Sequence, residues 1–338
     1  MRQIQITKAG NPEVLKVIDG PEPRPDQDEV VIEVKAAGIN FADILARKGL
    51  YPDAPKPPCV VGYEVAGVIS AVGQNVSAFQ LGQPVVALTR FGGYSEKVKV
   101  SAAQVFAKPQ NLSFEAAAAV PVNYLTAYQL LVVMGSLRAG ETVLIQNAGG
   151  GVGLAAIDIA KKIAAVTIGT ASTGKHEFLR QRGLDHVVDY RSQDWEKTVR
   201  ELTQGRGVEL VIDPIGGKTW SQNYRVLRHT GRLGMFGIST ASVAGSNSKL
   251  GLIKMILRMP WFNPIKLMNG NKSVFGVNLG HLWHEGEKVR GWMQDILRGV
   301  QEGWIRPHVD RVFSFEQAAE AQAYLEARKN IGKVVLAP

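Results

Sequence analysis

Thr142-Val-Leu-Ile-Gln-Asn147-Ala148-Gly149-Gly150-Gly151-Val152-Gly153 is the stretch whose reading decides the fold. A short apolar run, Thr142–Gln146, reads as a strand, and Val152–Lys162 reads as the helix that follows it. Four glycines in five positions cost backbone entropy unless something must come close. The alternative is a merely tight strand-to-helix turn. The demand of a dinucleotide explains the spacing better. A side chain at Gly150 or Gly151 would hold the backbone away from a pyrophosphate, and Gly153 lets the helix approach the strand. The helix N-terminus then offers unpaired N–H groups and a partial positive charge to the phosphates. Gly149, Gly150, Gly151 and Val152 are therefore candidate cofactor-binding residues.

Downstream, the pattern repeats. Strand candidates Ala165–Thr170, His186–Val188, Val208–Ile212 and Arg232–Phe236 alternate with helix candidates Gly174–Arg182, Trp195–Thr203 and Thr219–Leu227. Short, fully apolar strands separated by amphipathic helices imply a parallel sheet covered on both faces. An NAD site usually carries an acidic residue at the end of the second strand, on the ribose 2′-hydroxyl. Here that strand runs out into Gly169-Thr-Ala-Ser172-Thr-Gly-Lys175, with no carboxylate. A 2′-phosphate would meet the Ser172 hydroxyl and the Lys175 ammonium, and Tyr190 after the third strand adds a phenol. The expected cofactor is NADPH.

Upstream, residues 1–110 read as short β-branched strands broken by Pro and Gly: Val30–Val34, Val65–Val72 and Gln83–Leu88, with a proline loop at Gly20–Pro25. Ser113 is placed to cap a helix that begins at Phe114. Towards the C-terminus, Phe315–Arg328 reads as a helix and Gly332–Leu336 as a strand returning to the first domain. A length of 338 residues implies two domains at about 150 residues each. One cysteine, Cys59, excludes a disulfide framework and a cysteine-rich zinc lobe. The N-terminus resembles neither a signal nor a transit peptide. The longest apolar stretch, Phe114–Met134, is interrupted by Glu115, Pro121, Asn123, Thr126 and Gln129. A cytoplasmic protein is expected, with no nucleic-acid partner.

With both halves in place, the chain resembles the medium-chain dehydrogenase/reductase superfamily, and within it the zinc-free quinone oxidoreductase branch. The resemblance is carried by Ala37-Gly-Ile-Asn40-Phe-Ala-Asp43, Val61-Gly-Tyr-Glu64-Val-Ala-Gly67, Ala119-Val-Pro-Val-Asn-Tyr-Leu-Thr126-Ala, the turn at Ala148–Gly153 and Gly332-Lys-Val-Val-Leu336. Gly38–Tyr51 and Asn271–Leu282 are similar to vesicle-membrane-protein homologues of the quinone-oxidoreductase type. The resemblance implies an α/β architecture: a GroES-like β domain (1–122 and 278–338) and a Rossmann, doubly wound parallel-sheet domain (123–277), with the active site in the cleft between them.

Zinc alcohol dehydrogenases of this superfamily hold a catalytic ion with Cys, a Gly-His-Glu motif and a second Cys or Asp. Here Asn40 and Gly62-Tyr63-Glu64 stand at those places, and neither Asn40 nor Tyr63 is a good zinc ligand. The six histidines show no ligand grouping, so no metal is expected. Without a Lewis acid, a readily reduced acceptor such as a quinone or enone is the expected small-molecule substrate. The resemblance gives Asn40 contact with the substrate carbonyl or the nicotinamide, and makes Tyr51 and Tyr63 proton donors or stacking surfaces. It places Thr126 and Asn123 toward the cofactor, Phe236, Gly237 and Ile238 beside the nicotinamide, and Asn330 within its reach. Related reductases often carry a tyrosine where this chain has Leu45, which weakens the link to quinones. A dehydrogenase-derived protein that binds NADPH and a lipid or protein partner, with little turnover, is the second reading.

The net charge is +9, from 39 basic and 30 acidic residues. No Asp or Glu lies between Ala241 and His284, while Lys249, Lys254, Arg258, Lys266 and Lys272 do. Within 249–268, Leu250, Ile253, Leu257 and Trp261 keep helical spacing up to Pro260. Three roles fit this basic apolar segment: a lid, a buried helix, or peripheral membrane contact. The apolar Lys272–Val277 run reads as an edge strand, and the resemblance implies that it pairs across a two-fold axis in a homodimer.

Overall fold

The structure, a computed structural model, describes residues 1–240 and 259–338. These divide into two compact units. The first comprises Met1–Leu125, Gly280–Gly303 and Pro307–Pro338, and the second comprises Thr126–Leu279 and Trp304–Arg306.

In the first unit, β1 (Arg2–Ile6) pairs antiparallel with β2 (Leu15–Asp19). The larger sheet is organised on β3 (Glu29–Ile39), which pairs antiparallel with β4 (Glu64–Val72) and with β6 (Lys97–Ser101). Beyond β4 lie β5 (Pro84–Leu88) and β7 (Val105–Ala107). Alternating Val30, Ile32 and Val34 pack with Ile4, Val65 and Val85 in one core. A helix not anticipated from the sequence, α1 (Phe41–Arg47), starts where β3 ends. Its first turn is held by Asp43, whose Oδ2 accepts the Asn40 backbone N–H at 2.7 Å. Ser113 caps α2 (Phe114–Ala118), its hydroxyl accepting the Ala116 N–H at 3.2 Å. Then comes α3 (Pro121–Tyr128). Among the described residues one stretch, Phe114–Val133, is long and apolar enough to cross a membrane, and most of it is buried in the protein.

The second unit is a six-stranded, wholly parallel sheet: β8 (Thr142–Ile145), β9 (Val166–Ala171), β10 (His186–Asp189), β11 (Val208–Asp213), β12 (Leu227–Met235) and β13 (Ser273–Gly276). Its order, β10-β9-β8-β11-β12-β13, reverses direction between β8 and β11, the switch point at which such sheets bind ligands. Connections run through α4 (Gly151–Ile163), α5 (His176–Gln181), α6 (Trp195–Leu202) and α7 (Lys218–Val226). Strand β12 begins five residues before the expected Arg232. The polar Arg228-His-Thr-Gly231 stretch masks it in the sequence, and the ladder with β11 is irregular there. Short α8 (Pro264–Gly270) precedes β13.

The return to the first unit is made by α9 (Gly286–Gln301), β14 (Val309–Ser314), α10 (Ala318–Glu326) and β15 (Lys333–Ala337). The expected Phe315–Arg328 helix is shorter at both ends, opening with a single 3₁₀ turn at Phe315–Gln317. Strand β15 lies between β14 and β3. Residues Trp304–Arg306, which the sequence reading assigned to the first domain, belong to the second unit. There the Arg306 N–H donates to Asp158 at 3.0 Å and Lys162 lies over the Trp304 ring at 5.4 Å.

Candidate active site

The glycine turn follows β8 at the C-terminal edge of the second unit's sheet and opens α4. Gly150 is the N-cap and gives no side-chain bond to the first turn of a 13-residue helix, which leaves the first N–H groups of that turn for an anion. A Cβ at Gly153 would meet the backbone oxygens of Ala148 and Asn147 at 2.5 and 2.6 Å, so helix and turn touch there. A Cβ at Gly149 would lie 2.7 Å from Lys175 Cδ, so the Lys175 side chain lies across the turn. Ser172 follows β9 directly, and Lys175 closes the 3₁₀ turn that begins at Thr173. Tyr190 follows β10 and is partly exposed, with the Arg191 guanidinium 5.8 Å from its ring centre. Sequence reasoning missed Arg191, a second cation on this edge. It also passed over Asp189, which is engaged by the Thr173 hydroxyl and by the Arg191 N–H at 2.8 Å. The Thr173 hydrogen bond, foremost, holds that carboxyl below its ordinary range.

A buried relay supports the turn from below. The Thr170 hydroxyl donates to Gln146 Oε1 at 2.7 Å, Gln146 Nε2 to Asn223 Oδ1 at 2.7 Å, and Asn223 Nδ2 to Asp213 Oδ2 at 2.6 Å. Burial pushes the Asp213 carboxyl up to about 6, against hydrogen bonds led by the Ile215 N–H and including that from Asn223. The relay ties β9, β8, α7 and β11 together, and the Asn147 N–H donates back to Thr170 Oγ1 at 3.2 Å. Phe236, Gly237 and Ile238 follow β12 on the same edge. The Phe236 N–H bonds Asp213 O at 3.1 Å, and Ile238 lies against Gly216. Thr126 is buried in this unit.

In the first unit, Asn40 sits in a charged network. Lys333 Nζ donates to Asn40 Oδ1 at 2.7 Å and is ion-paired with Glu64 Oε1. Asn40 Nδ2 donates to Glu64 Oε1 at 3.0 Å, and the Val122 N–H to Glu64 Oε2 at 2.7 Å. Lys333 and Glu64 are 2 % and 0 % exposed, so both charges are desolvated and need one another. The lysine has only donors, which fixes the orientation of the Asn40 amide. Its amide hydrogens point at Glu64 and, at 3.4 Å, at Gly38 O. What Asn40 retains for a ligand is a lone pair on Oδ1, not a free donor. Beside it, Asp43 is fully buried, and burial pushes its carboxyl up to about 7. Three donors oppose that rise: Asn40 N–H at 2.7 Å, Tyr94 hydroxyl at 2.8 Å and Gly62 N–H at 3.2 Å. Glu64, Asp43 and Lys333 lay inside quoted motifs without an assigned role. A lysine inside the apolar β15 sequence was the available signal.

Tyr63 and Tyr51 meet edge to face, with ring centres 6.1 Å apart. The Tyr63 hydroxyl is buried and has no hydrogen-bond partner among the described residues. Burial and the nearby Asp43 raise its pKa far above that of a free phenol, so it stays protonated. Asn123 and Asn330 are buried in the same unit, donating to Ala119 O at 3.1 Å and Gly332 O at 2.7 Å. Among the described residues no three His, Cys, Asp or Glu side chains group as metal ligands. Zinc does not fit the residues present: the Asn40 amide is engaged, Glu64 already holds an ammonium, and Tyr63 is a protonated phenol.

Residues 26–110 match the alcohol dehydrogenase GroES-like domain, and residues 182–336 match the family described as zinc-binding dehydrogenase. The chain is 36 % identical to the human synaptic vesicle membrane protein VAT-1 homolog over 346 residues, covering 100 % of this chain and 86 % of that protein. It is 34 % identical to a quinone oxidoreductase of Pseudomonas aeruginosa, covering 100 % and 99 % of the two chains. The crystal structure of Escherichia coli quinone oxidoreductase complexed with NADPH superimposes with a TM-score of 0.89 at 30 % identity, over 100 % of both chains. Shared sequence along the whole chain, a GroES-like unit and a Rossmann-type parallel sheet together show that this chain belongs to the medium-chain dehydrogenase/reductase family, close to the VAT-1 homologues and quinone oxidoreductases.

Proposed function

We propose that the protein is an NADPH-dependent, zinc-independent oxidoreductase that transfers hydride to quinones or related conjugated carbonyl compounds. The observation that carries this reading is the cradle at the C-terminal edge of the parallel sheet. There an uncapped 13-residue helix, a glycine turn and the Lys175 side chain converge. Gly149–Val152 take the pyrophosphate, and Ser172, Lys175 and Tyr190, with Arg191, take the 2′-phosphate. Phe236–Ile238 and Thr126 would line the nicotinamide end, and Asn123 and Asn330 are the first unit's candidates for contact with it. Bound NADPH supplies the hydride, and the chain supplies position and polarity. Asn40, whose Oδ1 keeps a lone pair, would accept a hydrogen bond from the carboxamide of a bound nicotinamide. Tyr63 would donate to the substrate carbonyl oxygen, the atom on which a hydride transfer would build negative charge. Its raised pKa makes it a hydrogen-bond donor rather than a ready acid. Tyr51 packs edge-on against it as an apolar wall. In place of a metal, Lys333 is the cation of the site and balances Glu64. The names and sequences of the relatives support both the reaction class and the acceptor.

The test is NADPH oxidation with 9,10-phenanthrenequinone and 1,2-naphthoquinone by metal-free protein. Steady turnover is expected. Tight NADPH binding with no turnover across quinones and enals would overturn the reading in favour of a binding protein. The double substitution Ser172→Asp with Lys175→Ala is expected to lower the ratio of kcat/KM for NADPH over NADH by more than tenfold.

We further propose a cytoplasmic homodimer. Among the described residues, strand β13 ends the sheet with one edge unpaired, and exposed Trp261, Ile265 and Met268 lie just before it in the chain. An edge left open in this way is covered in stable proteins. Val274→Pro removes a backbone donor from β13 and is expected to give monomers by light scattering, where the unaltered protein gives dimers. Of the basic apolar segment 249–268, residues 249–258 lie outside the described residues. A membrane role for the rest would show as sedimentation with phosphatidylserine vesicles at low salt.

A further inference from the structure

The edge of the parallel sheet opposite the glycine turn carries a cavity of ≈ 430 Å³. Six cationic side chains line it: Arg200, Arg206, Arg225, Arg228, Lys266 and Lys272. They come from the end of α6, the loop before β11, the end of α7, the start of β12, α8 and the residue before β13. All six strands are parallel, so this N-terminal edge lies one strand length, about 17 Å along β11, from the edge that holds Gly149.

Only part of this charge is neutralised. Arg225 pairs with Glu196 at 2.9 Å and Arg228 with Glu209 at 2.6 Å. Arg200 and Lys272 donate to backbone carbonyls, those of Arg225 at 2.7 Å and Tyr224 at 3.0 Å, and Lys272 also lies over the Tyr224 ring at 4.9 Å. Arg200, Arg206, Lys266 and Lys272 have no carboxylate partner among the described residues. The eighteen residues 241–258 cannot supply one, because they contain no Asp or Glu. Four unmatched positive charges therefore face one cavity large enough for a small molecule. Burial, then the neighbouring Arg200, lowers the pKa of Lys272. Capping of helix C-termini accounts for Arg200, Lys272 and the His229 contact with Gly270 O at 2.9 Å. It accounts for neither Arg206 nor Lys266. The backbone beside the cavity is also constrained: Thr230, a β-branched residue, has φ of 67° and bonds Asn271 O through its N–H at 2.6 Å.

We propose that this cavity is a second ligand site, distinct from the nucleotide cradle, for a molecule carrying two phosphoryl groups. Arginine guanidinium groups fork onto phosphate oxygens, and the lysines add point charges. Four unmatched cations equal the charge of a fully ionised pyrophosphate. A soluble metabolite and a phosphoinositide headgroup present the same phosphoryl chemistry to these side chains.

The test uses inorganic pyrophosphate and the full chain saturated with NADPH, so that the glycine turn is occupied. Calorimetry is expected to show one pyrophosphate per chain with Kd below about 1 mM, weakened more than tenfold, or about 1.4 kcal/mol, by Arg206→Ala with Lys266→Ala. NADPH affinity and the unfolding midpoint of that variant stay unchanged. On the unaltered protein, pyrophosphate protects Lys266 and Lys272 from acetylation read by mass spectrometry. Absence of binding at 1 mM, equal binding by the double variant, or no protection of these lysines would each overturn the proposal. Vesicles of phosphatidylcholine with phosphatidylinositol 4,5-bisphosphate separate the sources. Sedimentation that the double variant loses assigns a lipid headgroup, and pyrophosphate binding without sedimentation assigns a soluble ligand.

Discussion

Lys333→Met lowers the unfolding midpoint of the protein by about 10 °C. The substitution removes the cation from a pair whose members are 2 % and 0 % exposed and leaves the Glu64 carboxylate buried with only neutral donors. Breaking a buried pair in this way costs about 3–5 kcal/mol. In a unit of this size each kcal/mol moves the midpoint by about 2–4 °C. Removing the second charge reverses most of the loss. Glu64→Gln added to Lys333→Met leaves an amide oxygen that still accepts from the Val122 N–H and no orphan charge, so the double variant is expected to recover at least half of the midpoint. Differential scanning calorimetry of the two variants checks this. A double variant no more stable than Lys333→Met alone would show that the lysine acts through packing and not through Glu64.

Gly153→Val raises the Kd for NADPH by about 100-fold or more. Even the first carbon of the new side chain would stand 2.5 Å from the Ala148 carbonyl oxygen and 2.6 Å from that of Asn147. Both are backbone atoms and cannot rotate away, so the start of α4 must move off the turn. Two charge-assisted hydrogen bonds to phosphate at about 1.5 kcal/mol each account for that loss. Fluorescence titration with NADPH measures it. Gly174→Ala, where an added Cβ meets nothing within 4 Å, is the control and is expected to bind normally.

Much of the second unit was legible in the sequence. Its strands are continuous apolar runs, and the glycine turn supplies the register for the rest. What escaped had particular causes. Strand β12 extends back through a polar stretch that carries no apolar signal. Helix α1 is only seven residues long, and Asn40 alone separates its apolar residues from those of β3. Helix α9 was readable, since Val289, Met293, Ile296 and Val300 keep intervals of four, three and four. Of the site, the nucleotide half follows from local chemistry, because the glycines and Lys175 lie within 27 residues of one another. The first unit's network does not. Asn40 and Lys333 are 293 positions apart, and only the pairing of β15 with β3 brings them together. The basic cavity is likewise assembled from six separate segments, which a net charge of +9 does not localise.

The position of β15 has a consequence for synthesis on the ribosome. The strand lies between β14 and β3, yet it is translated some 300 residues after β3. At about 5–20 residues per second, residues 29–39 wait on the order of 15–60 s for their neighbour. During that interval the nascent β3 has an open edge at Ala37–Ile39, and Glu64 has no lysine. The second unit needs nothing later than Arg306. The emerging chain therefore carries a nucleotide-binding sheet whose segments are all made while the first β sheet is still incomplete, and β15, translated after every one of them, supplies both the missing ladder and the missing charge.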